Sequence, residues 1–439
     1  MNEWFLVGRL KTVSRIFFYA FVAVLPFQIK TLVFTQEFYG GGFFNPYLSH
    51  FLYLGDVFLM LSLLFFGLYL VFGKKKIRKI IEIDLRLLII VGMFLVMYVF
   101  SILGSVNKFN SLFYALRFFE FFMIFLMMSG GFFNVRIILY VFLGSLAAIT
   151  LIGMLQYVLQ QSIGLKFLGE PVISADTLGV AKVSFFNREV LRVYGTFPHP
   201  NVFGGFLVFG IFFTIYYWQK YRQLFTALLI LFGIGIILTF SRSAMLALIA
   251  GIVVYYSLVK IKISWKYFIF GALFLIFLIF ALDLTPILSQ RFIIGDANSI
   301  YERGLFYEAG KQMFFDNLDG VGAGNFTRVM QGYLVDKLMP WQFQPVHNIF
   351  VLIVDEIGIW GLGVFVYLFI YLLNSLLKLL KDNEHTEKSF PAILITLGMT
   401  ILVIGMFDHY FISLYQGQAL LWIFLGLVNV ELTRKNLFL

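Results

Sequence analysis

Runs of about 17 to 25 almost purely apolar residues, the length that crosses a bilayer core as helix, recur along the chain with short polar segments between them. The pattern places spans at 14–34, 53–72, 84–105, 110–129, 134–158, 201–218, 223–240, 242–260, 265–283, 348–377, 390–410 and 414–432, which makes about twelve transmembrane helices. These runs are apolar on every side, whereas the strands of a membrane barrel would alternate apolar and polar residues over about ten positions. Helices also satisfy every backbone group within the segment, as a bilayer requires. The expected fold is therefore an all-α integral membrane protein, one polytopic domain over 1–439 with two long extracytoplasmic loops, 159–200 and 284–347.

Composition agrees, since 61% hydrophobic residues, 13% charged residues and a mean hydropathy of +0.92 leave too little polar surface for a water-soluble globule of 439 residues. The first span follows Arg9, Lys11 and Arg15 without a small-residue cleavage site, as in a retained signal-anchor. With the N-terminus in the cytoplasm, 20 of the 33 Lys and Arg fall on the cytoplasmic side, among them Lys74 to Lys79, and three fall in short outer loops. This bias predicts a multi-pass protein of the cytoplasmic (inner) membrane with both termini inside. The net charge of +10 is then explained by basic loops facing anionic lipid, and no nucleic-acid partner is implied. The absence of cysteine excludes disulfides and thiolate chemistry.

Polar residues out of place mark the candidate chemistry. Arg192, His199, Asn201, Arg242, Arg303, His347 and Asn348 all fall on the outer side or at outer helix ends. Arg242 sits between two apolar spans joined by almost no loop, where a cation must be paired, bind an anion or snorkel. His199 and Asn201 open a helix beside Pro198 and Pro200, and a helix N-terminus attracts anions. In Y-E-R-G-L-F-Y-E-A-G, Phe306, Ala309 and Met313 form an apolar arc with Arg303 at its edge, suiting a helix along the outer interface that aims Arg303 at a lipid headgroup. His347 precedes another span, placed to take a proton near neutral pH or merely to cap the helix. Arg117 and Glu120, spaced i to i+3 within a span, suit a structural pair, with a polyprenyl-phosphate contact as the alternative. Tyr333, Trp341 and Phe343 are candidates for stacking on sugars or for anchoring at the interface.

The ordered set R-V-Y-G-T-F-P-H-P-N (Arg192 to Asn201), S-R-S-A (Ser241 to Ala244), G-V-G-A-G-N-F (Gly320 to Phe326) and H-N followed by E-x-G-I-x-G (His347 to Gly361) resembles the O-antigen ligase and O-antigen polymerase superfamily over about 190–370. The resemblance implies a membrane-embedded, GT-C-like glycosyltransferase of the bacterial envelope, which uses a polyprenyl-pyrophosphate-linked glycan as donor and needs neither metal nor other cofactor. It implies that Arg192, Arg242 and Arg303 hold the donor pyrophosphate and that His347 serves as general base or orienting group. His199, Asn201, Asn348 and Glu356 would support them. Acceptors would be a glycan, a lipid or a protein, and membrane lipids would be partners. A ligase and a repeat-unit polymerase share such a site. A transporter would instead scatter polar residues through the bilayer midplane. No D-x-D pair stands in either long loop to hold a cation for a sugar-nucleotide donor.

Overall fold

The computed structural model describes residues 3–35, 45–73, 82–177, 179–185, 188–218, 220–259, 297–335, 337–339, 342–382 and 389–433. The expected span at 265–283, the basic run Lys74 to Lys79, the stretch 284–296 and Trp341 lie outside the described residues. The helices used below are α1 (Glu3–Val24), α2 (Leu54–Phe72), α3 (Leu85–Phe100), α4 (Lys108–Met128), α5 (Val135–Leu159), α6 (Pro200–Tyr217), α7 (Arg222–Thr239), α8 (Arg242–Val259), α9 (Ala297–Asp316), α10 (Ile349–Asp382), α11 (Ser389–Gly405) and α12 (Tyr415–Thr433). Among the described residues seven helices are long and apolar enough to cross a membrane, and α3 and the 390–405 part of α11 are shorter apolar helices. The chain is thus a mostly helical, multi-pass membrane protein.

Two short antiparallel hairpins interrupt the helices: β1 (Lys30–Thr35) with β2 (Ser49–Tyr53), and β3 (Lys182–Phe185) with β4 (Arg188–Leu191). The first changes the expected span at 14–34. Its helix starts at Glu3 and stops at Val24, ahead of Pro26, and the apolar residues Leu32 to Phe34 are strand instead. Proline cannot continue a helix, and the β-branched Thr31 and Val33 suit an extended chain.

Helix starts follow the sequence. Asp84 accepts from the Leu87 amide (2.8 Å), Asn107 from Asn110 (3.0 Å), and Asn348 from Phe350 and Val351 (2.9 and 3.2 Å), each satisfying an amide that the helix cannot. α6 is an interior helix, with 89% of its span buried, against 28% for α8 at the periphery. Phe203, Phe206, Phe209 and Phe212 of α6 are all fully buried, so part of the Phe richness is core packing rather than lipid-facing surface. Gly205 lets Tyr410 approach: a Cβ there would lie 1.8 Å from the tyrosine hydroxyl oxygen.

The long helix α10 is broken at Gly358 (φ 78°, ψ 175°), a backbone conformation that L-residues with a Cβ scarcely adopt. The turn Gly320 to Phe326 docks at that break. The Val321 amide donates to the Asp355 carbonyl (2.8 Å), Gly322 to Glu356 (3.0 Å), and Ile359 to Leu318 (3.1 Å). On its other side the Asn110 side chain donates to the Gly324 carbonyl (2.6 Å), and Ser111 to Ala323 (3.0 Å). The turn is therefore clamped between α4 and α10. Because α9 runs directly into it, the clamp also fixes α9 relative to the start of α10.

Candidate active site

Antiparallel helices present alternate ends to one face, and here the starts of α6, α8 and α10 gather with the ends of α7 and α11. The shared face holds Arg192, His199, Asn201, Arg242, Arg303, His347 and Asn348.

Arg192 follows β4 and is 4% exposed. Its Nε–H donates to the Thr239 carbonyl at the end of α7 (2.7 Å), and its Nη2 donates to Asn201 Oδ1 (2.7 Å). The Asn201 amide nitrogen donates in turn to Asp408 Oδ2 (2.8 Å). Arg192, Asn201 and Asp408 thus form a buried relay that ties three helix ends together. His199 caps α6 by accepting the Asn201 amide on Nδ1 (3.1 Å). Burial and the nearby Arg192 hold its pKa well below the usual histidine range, with Asp408 opposing them.

Asp408 is the hub. It is 4% exposed, and the His409 amide donates to its Oδ1 (2.9 Å). His347 and His409 meet edge to face with ring centroids 5.0 Å apart, and His347, Asp408 and His409 each bring one ligand-capable atom within 4.8 Å of the others. His347 is half-buried, with Nδ1 enclosed and without a hydrogen-bond partner. Burial pushes His347 down to about 3 and His409 down to about 4, against the pull of Asp408, so both rings are neutral at neutral pH. Burial alone would raise the Asp408 carboxyl. The facing His347, His409, Arg303 and His199 outweigh it, so the group stays ionised below its ordinary range.

Arg303, on α9, is half-buried and directs Nη1 at the Phe407 carbonyl (3.5 Å), in the field of Asp408. Burial and the adjacent Arg242 both weaken its hold on the proton, and Asp408 opposes them. No carboxylate forms a salt bridge with Arg303 or Arg242 among the described residues. The arc Phe306, Ala309 and Met313 is wholly buried against the rest of the protein. α9 therefore packs into the fold instead of resting on lipid. A Cβ at Gly310 would meet Asp355 and Val351 of α10 at 2.7 and 2.8 Å, so only a glycine permits this approach.

The other expected residues have different surroundings. Asn348 caps α10 and donates to the Met406 carbonyl (3.3 Å), joining the starts of α10 and the Asp408 loop. Glu356 lies a turn and more further along α10, where its Oε1 accepts the Phe326 amide (3.2 Å) and braces the glycine turn rather than the charge cluster. Arg117 of α4 bonds Glu120 (2.8 Å), Asp56 (2.5 Å) and the Phe51 carbonyl (2.9 Å). Tyr333 accepts from Asn317 (3.1 Å), and the Phe343 carbonyl accepts from Asn45 (2.8 Å).

Sequence reasoning missed Asp408 and His409, which it enclosed in an expected span at 390–410. The structure ends α11 at Gly405, so the F-D-H-Y segment is a loop at the same face. The available signal was an adjacent Asp–His pair at the outer end of an apolar run, because charge within a span is costly and rarely without function.

Among the described residues, neutral histidines, one carboxylate and clustered guanidinium groups thus meet at one face of a multi-pass membrane protein. The family profile described as O-antigen ligase matches residues 225–366, about a third of the chain, so this part of the chain is similar to the O-antigen ligase and polymerase family. That match takes in Arg242, Arg303, His347 and Glu356 and ends before Asp408. No curated protein matches the chain.

Proposed function

We propose that the protein transfers a glycan from a polyprenyl-pyrophosphate donor to an acceptor hydroxyl, as an O-antigen ligase-type enzyme of envelope polysaccharide synthesis. The observation that carries this reading is the charge at the shared face: among the described residues, the guanidinium groups of Arg192, Arg242 and Arg303 are opposed there by the single carboxylate of Asp408. A sugar-bearing polyprenyl pyrophosphate carries two negative charges, which matches the surplus.

In this mechanism Arg242 and Arg303 contact the pyrophosphate, and Arg192, already engaged by Thr239 and Asn201, sits behind them as a fixed charge. The acceptor oxygen bonds to the anomeric carbon. The carbon–oxygen bond to pyrophosphate breaks, and its electron pair stays on the departing oxygen, where the arginines stabilise the growing charge. The hydroxyl proton passes to the neutral His347 ring, and Asp408 steadies the imidazolium that forms. The products are the new glycoside and polyprenyl pyrophosphate, and the balance calls for no cofactor.

The topology proposed with this mechanism has twelve crossings: every labelled helix except α9, plus 265–283. Both termini are cytoplasmic and the charge cluster faces outward, supported by the positive-inside bias of the sequence. The concentration of polar groups at one face favours an enzyme over a transporter. Reconstitution of the purified protein with a polyprenyl-pyrophosphate oligosaccharide, with and without a lipid-core or protein acceptor, tests the reading. Product formed only with added acceptor means a ligase. A ladder from donor alone means a repeat-unit polymerase working at the same site, and no new glycosidic bond in either arm rejects the proposal.

A further inference from the structure

Next to the charge cluster lies a half-open cavity of about 60 Å³, lined by residues of the 46–53 segment, by α4 and by the chain entering and starting α12. It has room for about four waters, or for the hydroxyl-bearing edge of a sugar ring. Two of its wall residues also touch the cluster: Ser413 Oγ lies 2.5 Å from His409 Nδ1, and the Tyr47 ring centroid is 5.6 Å from that of His409. Aromatic faces from Tyr47, Phe51, Phe113 and Tyr114 line it.

The polar wall is of a particular kind. Arg117 reaches the cavity, but Asp56, Glu120 and the Phe51 carbonyl already engage its guanidinium, so one cation faces two carboxylates and an anion gains nothing. His50 is 2% exposed and lines the same wall, and its Nε2 is buried without a hydrogen-bond partner. Burial, reinforced by Arg117, holds its pKa down to about 4, so the ring is neutral and its free nitrogen suits a hydroxyl. Apolar ring faces beside an unsatisfied neutral polar atom are what a sugar presents its two sides to.

We propose that this cavity is a subsite for an uncharged sugar ring of the glycan, with a ring hydroxyl on His50 Nε2 and the carbon face of the sugar against the Tyr47 and Phe113 rings. The assignment of that sugar to a transfer reaction rests on the function proposed above; the binding itself does not. The sugar is either the acceptor's terminal residue or the first residue of the donor, and the two are separable.

The test uses the full chain in lipid nanodiscs and saturation-transfer NMR with the methyl glycosides of glucose, galactose, mannose, rhamnose and N-acetylglucosamine, and with glucose 6-phosphate as the charged comparison. At least one neutral glycoside should receive saturation. His50→Leu should weaken it about fivefold, the size of one neutral hydrogen bond, and Phe113→Leu, which keeps apolar bulk but removes the ring, should weaken it without loss of thermal stability. If His50→Leu does not fold, Phe113→Leu decides the question alone. No saturation of any neutral glycoside, unchanged binding in the folded variants, or stronger binding of glucose 6-phosphate would overturn the subsite. In the transfer assay, a rise in KM for acceptor alone assigns the acceptor's sugar, and a rise for donor alone assigns the donor's. Glycoside binding by a protein that forms no glycosidic bond would keep the subsite and reject the transfer reading.

Discussion

The Arg117 group answers one guanidinium with two carboxylates, Asp56 and Glu120, whereas among the described residues the group around Asp408 answers three guanidinium groups with one carboxylate. Both are largely enclosed, and both sit among helices that cross a membrane. Burial makes an uncompensated charge costly. The first group satisfies its cation internally and so needs no ligand. The second leaves Arg242 and Arg303 without a salt bridge among the described residues, a condition that the proposed pyrophosphate donor would relieve.

The difference is broken most directly by removing charges from each group. His347→Ala should lower the turnover of glycan transfer by about 10² to 10⁴, the span for a general base. Arg242→Ala or Arg303→Ala should lower it by about 10² to 10³, the loss of one preorganised donor to a developing anion. In both cases the amount of protein in the membrane should stay the same. Wild-type transfer by either arginine variant, measured with purified protein, would remove that residue from the site.

Arg117→Met should act in the opposite way. It strands Asp56 and Glu120 without their cation, and breaking a buried pair costs about 3–5 kcal/mol. The expected outcome is a lowered melting temperature and less folded protein in detergent. A variant as stable as the parent would show that the pair is not structural.

How far this comparison was legible in the sequence differs between its halves. Among the described residues most helix positions were readable because apolar length alone sets them, the first span excepted, and Arg242 stood out because only two residues separate it from the end of α7. Asp408 was hidden because its two-residue polar step lies at the end of an apolar run, and a hydropathy window averages it away. Asp56 could not be paired with Arg117 from sequence, since the contact joins positions 61 apart along the chain. The glycine turn and the E-x-G motif were visible as separate signatures. That Glu356 braces the turn at the break of α10, holding α9 and with it Arg303, depends on backbone hydrogen bonds that no spacing encodes.

A smaller effect is expected from pH. An unperturbed histidine titrates near 6.5, but burial holds His347 at about 3 and His409 at about 4. Below about 6.5 the unfolded chain takes up protons that the folded one refuses. The two rings thus contribute stability above that pH, and the contribution is lost as pH falls toward 4 and then 3. For the free enzyme, kcat/KM should stay level from pH 7 to about 5. A bound pyrophosphate favours the charged imidazole, so the acid limb of kcat should lie at higher pH than that of kcat/KM. A half-loss of kcat/KM at pH 6.5 would mean that the catalytic base is an ordinary exposed group.

The smallest expected effect sharpens the comparison at its most ambiguous point. His347, Asp408 and His409 are close enough to share a metal ion, and two imidazoles with a carboxylate are ligands that zinc accepts. The surrounding charge argues otherwise. Arg303 faces the same carboxylate, and Asn201 joins it to Arg192, so a divalent cation entering there would meet a region already carrying surplus positive charge. Dialysis against a chelator should therefore leave transfer unchanged. Loss of activity on chelation, restored by a divalent cation, would make this cluster a metal centre. The surplus of arginine would then have to be explained by the donor alone.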